Sequence, residues 1–457
     1  MSKIETAIAS AQYKCTTGKM TKFRWVVIFI IFIIYTIASA DRANLGVALP
    51  FIRKEVIMSN TEAGAIASLF FVGYALFQIP AGFIYSKIGV HKVFSLAMIL
   101  TSAFTALIGT SSSLFALKAF RLGLGISEAA LPVGITTTIN NWFPSKEKGT
   151  ATGIFLAGAK FGPVIVPPIA VAVLTIAGWR PIFYVFAVPG ILLSIIWYFL
   201  VKNKPGNSPH CSASEVEYIK TETIVKKKVD CNKNNNSLQW LDKLIRTRMV
   251  EPLSSNAQLF RSWNLWGTAL GYFFMVGIVN VILAWIPTYL INEKHFSIMH
   301  MGFVASAPWV GAVVGNILDG WFSDKVLNKR RKPLMLVSAL ATAGMMYALV
   351  NSTNDAMVMG LLLLATGALL NLGYSAFMVY PMGLATKEKY PIAMAIVNTG
   401  GQLGGAAAPL VVGMILDAYN WGTVFLSLAI GALICLAIIL TTIEPISKPT
   451  DVTTTNA

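Results

Sequence analysis

Twelve apolar stretches divide this sequence, at roughly 24–49, 60–85, 92–111, 114–140, 149–175, 181–201, 262–291, 298–323, 333–351, 355–385, 389–417 and 421–443. A helix that crosses the hydrocarbon core of a bilayer needs about 20 mostly apolar residues, and each stretch meets that length with some allowance for tilt. We number them spans 1–12. In the 457-residue chain 55% of residues are hydrophobic and 12% charged. That is about half the charged share of a soluble domain, too little to coat a water-exposed surface. The pattern excludes a soluble enzyme, a disordered chain and a secreted disulfide scaffold. It predicts an all-α, polytopic membrane protein. The first apolar run, Trp25 to Leu49, is too long for a signal-peptide core and lacks a small-residue cleavage site, so it is expected to stay as a transmembrane helix.

Charge sets the expected topology. Of 36 Lys and Arg residues, 28 fall on the side that carries both termini, and only Arg53, Lys54, Arg180 and Lys294 fall in loops on the other side. The positive-inside rule then places both termini in the cytoplasm. The formal balance of +16 reflects these basic loops rather than a nucleic-acid surface. The organisation expected is a tail (1–22), a six-span bundle (23–201), a cytoplasmic linker (202–261), a second bundle (262–445) and a tail (446–457). The linker holds KNKPGNSPH, a KKK run at 226–228 and NKNNN at 232–236, and reads as a flexible basic tether. Cys15, Cys211 and Cys231 fall in cytoplasmic segments and Cys435 in a span, with no metal-binding spacing, so no disulfide is expected.

The halves repeat each other. At an offset of 238, Glu55 matches Glu293, Ser59 matches Ser297, Gly64 matches Gly302, Gly73 matches Gly311, Gly82 matches Gly320 and Lys87 matches Lys325. Later the offset is 242, with Gly158 matching Gly400, Gly162 matching Gly404, Pro167 matching Pro409 and Trp179 matching Trp421. Two six-span halves in parallel repeat resemble the plan of the major facilitator transporters, with a binding site between the halves near the midplane. After the second span of each half comes GFIYSKIGVHK (82–92) or GWFSDKVLNKRRK (320–332). These resemble that superfamily's inner-gate loop, G-x-x-x-D-R/K-x-G-x-R/K. Lys87, Asp324 and Lys325 are the gate residues it implies, and Ser86 stands where the first loop's Asp is expected.

Charge at bilayer depth costs at least about 2.5–3.5 kcal/mol per residue and needs a reason. Asp41 and Arg42 in span 1, Arg121 and Glu128 in span 4 and Lys160 in span 5 are the candidates, all in the first half. At about 1.5 Å per residue, Asp41 and Arg121 lie at similar depth and are expected to pair. Glu128 lies two turns below Arg121 on the same face, and Lys160 lies close to the middle. A carrier of protons and anions needs such a set. A buried carboxylate takes the proton, a cation binds the substrate carboxylate, and the two compete. A self-neutralising network that merely holds spans 1 and 4 together is the structural alternative.

Specific stretches carry a closer resemblance: ADRANLGVALP (40–50), FVGYALFQIPAG (71–82), RLGLGISEAALP (121–132) and NWFPSKEKGTATGIF (141–155). Over residues 24–443 the chain resembles the anion:cation symporters of the major facilitator superfamily, above all bacterial galactonate, hexuronate and glucarate transporters. That resemblance implies proton-coupled uptake of a small organic anion across the inner membrane by a monomer, with no cofactor beyond the proton. It implies Asp41 and Glu128 as proton-coupling carboxylates with Arg121 tuning them, and Arg42 as the cation for the substrate carboxylate. Tyr74 and Asn398 become substrate contacts from opposite halves. The chain departs from the galactonate type at Ser39, where tyrosine is usual, and at Leu156, where asparagine is usual. Lys160 is an additional cation, and it suggests a substrate with a second acidic group. Pairing of Lys160 with Glu128 is the other reading. Its repeat mate Gln402 is a further cavity candidate. An exchanger of the same fold and a non-transporting sensor are the competing functions. No nucleophile–base or metal set suggests an enzyme.

Overall fold

The computed structural model describes residues 20–224 and 242–447, apart from positions 145, 244, 329 and 387. The basic run at 226–228, the Asn-rich run at 232–236, Cys15, Cys231 and the ends of both tails lie outside the described residues. Twelve helices or helix pairs are long and apolar enough to cross a membrane: Phe23–Glu55, Asn60–Ile88, Val90–Thr110, Leu114–Trp142, Lys148–Ala177, Arg180–Leu200, Trp263–Asn292, Ile298–Trp321, Lys332–Val350, Ala356–Leu384, Tyr390–Ala418 and Trp421–Thr441. They coincide with spans 1–12. Helix is the form forced on these segments, because in hydrocarbon each backbone N–H and C=O must find its partner within the segment.

The same pairing recurs in both halves. Span 1 packs on 5, span 2 on 4 and span 3 on 6; in the second half span 7 packs on 11, span 8 on 10 and span 9 on 12. The halves meet through spans 1 and 7, 2 and 11, and 5 and 8. Small residues allow this approach. A Cβ on Gly46 of span 1 would lie 2.2 Å from the Leu283 carbonyl oxygen of span 7, and one on Gly64 of span 2 would lie 2.3 Å from that of Pro409 in span 11. Both contacts lie towards the face remote from the linker. Near the linker face, a Cβ on Gly82 or Gly320 would meet nothing within 4 Å. The halves are closed against each other at the remote face.

A carboxylate fastens the closed face. Asp417, at the end of span 11, accepts hydrogen bonds from the Asn60 and Thr61 amides, both at 2.8 Å, and from the Thr61 hydroxyl at 2.6 Å. Ser59 and Glu62 complete the end as a capping box: the Ser59 hydroxyl accepts from Glu62 N, and the Glu62 carboxylate accepts from Ser59 N at 3.0 Å. All four orphan amides of that helix end are thus satisfied, two of them by the opposite half, and the anion sits at the positive end of the helix.

The linker face is more structured than the sequence suggests. Where described, the segment read as a flexible tether is folded. Helix Ala213–Ile224 docks beneath the first half, and Thr247–Val250 (β1) pairs in parallel with Glu444–Ser447 (β2) beneath the second. The fold remains all-α apart from this two-stranded piece. Glu215, fully buried, accepts from the Phe23 and Arg24 amides and from the Thr21 hydroxyl, and pairs with the Arg24 guanidinium at 2.9 Å. Glu444 does the same for span 9, accepting from the Arg331 and Lys332 amides. Each half thus has a helix capped by a carboxylate from a distant segment. The Lys332 ammonium, also buried, donates to the carbonyls of Ile245, Leu440 and Thr442.

Two predictions follow from these caps. Asp417→Ala should release the Asn60 and Thr61 amides, costing about 1 kcal/mol, the value of a helix cap. Amide exchange at those positions should rise severalfold, whereas unchanged exchange would remove Asp417 from the closure. Burial opposes ionisation of Glu215, but hydrogen bonds from Thr21, Arg24 and Phe23 outweigh it and hold the carboxyl below its ordinary value. A depressed carboxylate stabilises above its unfolded-state pKa, and that contribution is lost as the pH falls through the folded one. The gap in thermal stability between wild type and Glu215→Gln should therefore be widest near neutral pH and close in acid.

Candidate functional site

The buried charges gather where the two halves face each other, but not in the pairing that depth alone suggests. Arg42, not Arg121, makes the central ion pair. Its Nε donates to Glu128 Oε1 at 2.6 Å, and its Nη2 lies 2.5 Å from the same oxygen. The Glu128 side chain is wholly buried, while that of Arg42 keeps 20% of its surface exposed, so the cation is the member that reaches open space. The Glu128 Oε2 has no hydrogen-bond partner among the described residues. Span 4 is irregular at this point, with helix Leu114–Glu128 giving way at Ala129 to helix Ala130–Trp142. Pro132 explains it, because the amide that would bond the Glu128 carbonyl is missing.

Aromatic rings wall the Arg42 guanidinium. The Tyr74, Phe70 and Tyr35 ring centres lie 5.2, 5.5 and 5.9 Å from its central carbon. Cation–π attraction holds the guanidinium without neutralising it. Arg121 lies near Phe70 as well, at 5.1 Å, so one ring is shared by two cations. The expected Asp41–Arg121 ion pair is not formed: Arg121 Nη1 donates to the Asp41 backbone carbonyl at 3.3 Å. The Asp41 carboxylate, 1% exposed, receives a long contact of 3.4 Å from Asn44 and forms no salt bridge among the described residues. Adjacent residues on a helix point about 100° apart, which is why Arg42 turns to Glu128 while its neighbour Asp41 does not share that pairing.

Lys160 pairs with neither acid. From span 5 its ammonium crosses to the other half, donating to Asn371 Oδ1 at 3.0 Å and sitting 4.4 Å from the Tyr374 ring centre. These partners flank a second interruption, where helix Ala356–Asn371 ends and Tyr374–Val379 begins. No carboxylate among the described residues pairs with Lys160. Asn398 donates across the halves to Gln78 at 3.5 Å, and Gln402 stands one turn further along span 11, half-buried. At the linker face Lys87 and Lys325 are exposed. The Asp324 side chain lies outside what the structure describes.

Sequence reasoning missed Asn371, Tyr374 and the aromatic wall of Tyr35 and Phe70. The run Asn371-Leu372-Gly373 inside span 10 is a turn signal that points to the interruption. The aromatic wall gives no such signal, because aromatic residues are ordinary in any span.

Two repeated six-helix bundles that bring buried charges and interrupted helices together where they meet follow the plan of a membrane transporter. The chain matches the Major Facilitator Superfamily over residues 31–405 and 361–456, and it belongs to that family. It is 30% identical over 440 residues to a "probable galactarate/D-glucarate transporter" of Escherichia coli (strain K12), covering 90% of this chain and 93% of that one. It is 29% identical over 425 residues to a D-galactonate transporter of Escherichia coli O6:H1, with 91% and 95% covered. Among solved structures, a bacterial homologue of the human lysosomal transporter Spinster, in an inward-facing and unoccupied conformation, shares the fold. Its TM-score is 0.73 at 17% identity, with 93% of this chain and 97% of that chain covered. The chain is thus a multi-pass membrane transporter, not an enzyme, and the two relatives named above carry the names of sugar-acid transporters.

Removing one member of the central pair strands the other. Arg42→Gln should lower stability by about 3 kcal/mol by leaving a buried carboxylate without its counter-charge. Arg42→Gln combined with Glu128→Gln should recover most of that loss in thermal unfolding of the purified protein. Additive losses would show that the two side chains do not depend on each other.

Proposed function

We propose that the protein takes up a sugar acid with two carboxylates, in symport with protons, across the inner membrane, with the linker face in the cytoplasm. One observation carries this reading. Arg42 is neutralised by Glu128, whereas Lys160 is held by an amide oxygen and an aromatic ring and keeps its charge uncompensated. Protonation of Glu128 frees the Arg42 guanidinium for one carboxylate of the substrate. Lys160 offers a second cation from across the cavity. Between them Asn398, Gln402 and the tyrosines supply donors and acceptors suited to hydroxyl groups. Asp41, a buried carboxylate with no salt bridge among the described residues, is the second proton carrier. The names of the relatives, galactarate/D-glucarate and D-galactonate carriers, support the substrate class.

The charge balance accords with uptake. A dianion entering with two protons is electroneutral, and a third proton would draw on the membrane potential at about 2.3 kcal/mol per charge per 100 mV. A monomer suffices, because both halves of the site lie in one chain.

The test is external pH in proteoliposomes after addition of glucarate, galactarate, galactonate, glucuronate or malate, without an imposed gradient. Alkalinisation is expected, greatest with the six-carbon dianions. Glu128→Gln should abolish it while retaining exchange of internal for external substrate. Exchange without proton movement in the wild type would favour the exchanger instead. Lys160→Gln should weaken dianion binding by about 10- to 100-fold, the worth of a hydrogen bond to a charged group, and leave monoanions unaffected. Equal losses for both substrate types would contradict the role given to Lys160.

A further inference from the structure

Span 10 breaks at the cavity with no proline at the break. Helix Ala356–Asn371 stops, Leu372 and Gly373 turn, and Tyr374–Val379 starts anew. A helix that starts inside a membrane exposes amides that need an acceptor. Asp319 of span 8 supplies one. Its Oδ2 accepts from the Ser375 amide at 3.1 Å and from the Ser375 hydroxyl. Asp319 is fully buried, and no salt bridge reaches it among the described residues. Its Oδ1 lacks a hydrogen-bond partner among those residues as well. A carboxylate in this setting is expensive, and neither the ion-pair network of the first half nor the linker-face caps account for it.

The residues on either side of the break give the reason. Asn371, the last residue before it, accepts from Lys160; Tyr374, the first after it, lies against the same ammonium. The Asn371 amide is in turn fixed to the Gly367 carbonyl at 2.9 Å. The turn is wedged by Gly373, where a Cβ would come within 2.5 Å of the Leu334 carbonyl oxygen. The holder of Lys160 is therefore built from two helix pieces, and Asp319 ties down the start of the second.

We propose that Asp319 is a positioning residue for substrate selection: by capping the restarted helix of span 10 it places Asn371 and Tyr374 so that Lys160 stays oriented into the cavity with its charge free. This rests on the reading of Lys160 as the second-carboxylate site, and deepens it.

The experiment compares wild type, Asp319→Asn, Asp319→Ala and Lys160→Gln in two ways. The first is binding of glucarate and of galactonate to the purified protein. Asp319→Ala should lose about tenfold in glucarate affinity while galactonate changes by no more than about twofold. Asp319→Asn, which keeps an acceptor oxygen of the same shape, should retain most of the preference. A glucarate-to-galactonate ratio in Asp319→Ala equal to that of wild type overturns the proposal. The second readout needs no substrate: the rate at which acetic anhydride acetylates Lys160, read by mass spectrometry. Release from Asn371 and Tyr374 should raise that rate about threefold in Asp319→Ala, and an unchanged rate overturns the proposal. If Lys160→Gln leaves wild-type selectivity intact, the dianion reading fails, and the acetylation rate alone decides whether Asp319 positions Lys160. Ser375→Ala, which removes one donor to Asp319, serves in place of Asp319→Ala if that variant does not fold.

Discussion

The ion pair of Arg42 and Glu128 is the constraint around which the rest is arranged. Two opposite charges at bilayer depth are tolerable only together, and a proton on the carboxylate dissolves the partnership. The pair is therefore a structural requirement, and in the proposed cycle it is also the switch. Aromatic rings surround Arg42, and among the described residues no second acid pairs with its guanidinium. Placing Glu128 at the irregularity of span 4 and Arg42 at the open edge lets the acid stay buried while the base meets the cavity. The same geometry explains why Asp41, next in sequence to Arg42, does not compete for the pair.

The second half answers with a different chemistry. It brings no charge to the cavity of its own; it brings a broken helix that holds a lysine of the first half. Spans 4 and 10 are repeat mates, and both are interrupted where they face the site. In the first the interruption serves an ion pair, in the second a cation held by neutral groups. The glycine contacts near the remote face and the Asp417 cap keep that side closed. In the proposed cycle the cap on span 2 is lost when the remote face opens.

The fold was legible because its signal is repeated and strong. Twelve apolar runs, the lysine and arginine bias and the internal repeat each follow from the bilayer as solvent, and all three lead to one architecture. The list of buried charges was legible for the same reason, since Asp41, Arg42, Arg121, Glu128 and Lys160 stand out in apolar surroundings. Their pairing was not. Depth along a helix is a one-dimensional measure, and it matched Arg121 to Asp41. Partnership depends also on the rotation of span 1, which turns Arg42 towards span 4. Asn371 and Tyr374 were hidden because polar and aromatic residues in a span carry no marked cost. Asp319 lies one residue before Gly320, the repeated glycine of the gate loop, where a charge near a helix end gives no marked signal. The linker read as a tether because its composition is polar and basic. Glu215 and Asp242 could not be told from solvated charges until the helix ends and the arginine they bind were in place, as the Asp242–Arg330 pair shows.

The central claim is that substrate takes Arg42 from Glu128 and that Glu128 is protonated when it does. Infrared difference spectroscopy of the purified protein, with and without glucarate, reads this directly. A protonated-carboxyl band that appears on glucarate binding in wild type and is missing in Glu128→Gln is the result the account predicts. Binding without such a band, or a band that persists in Glu128→Gln, would contradict it.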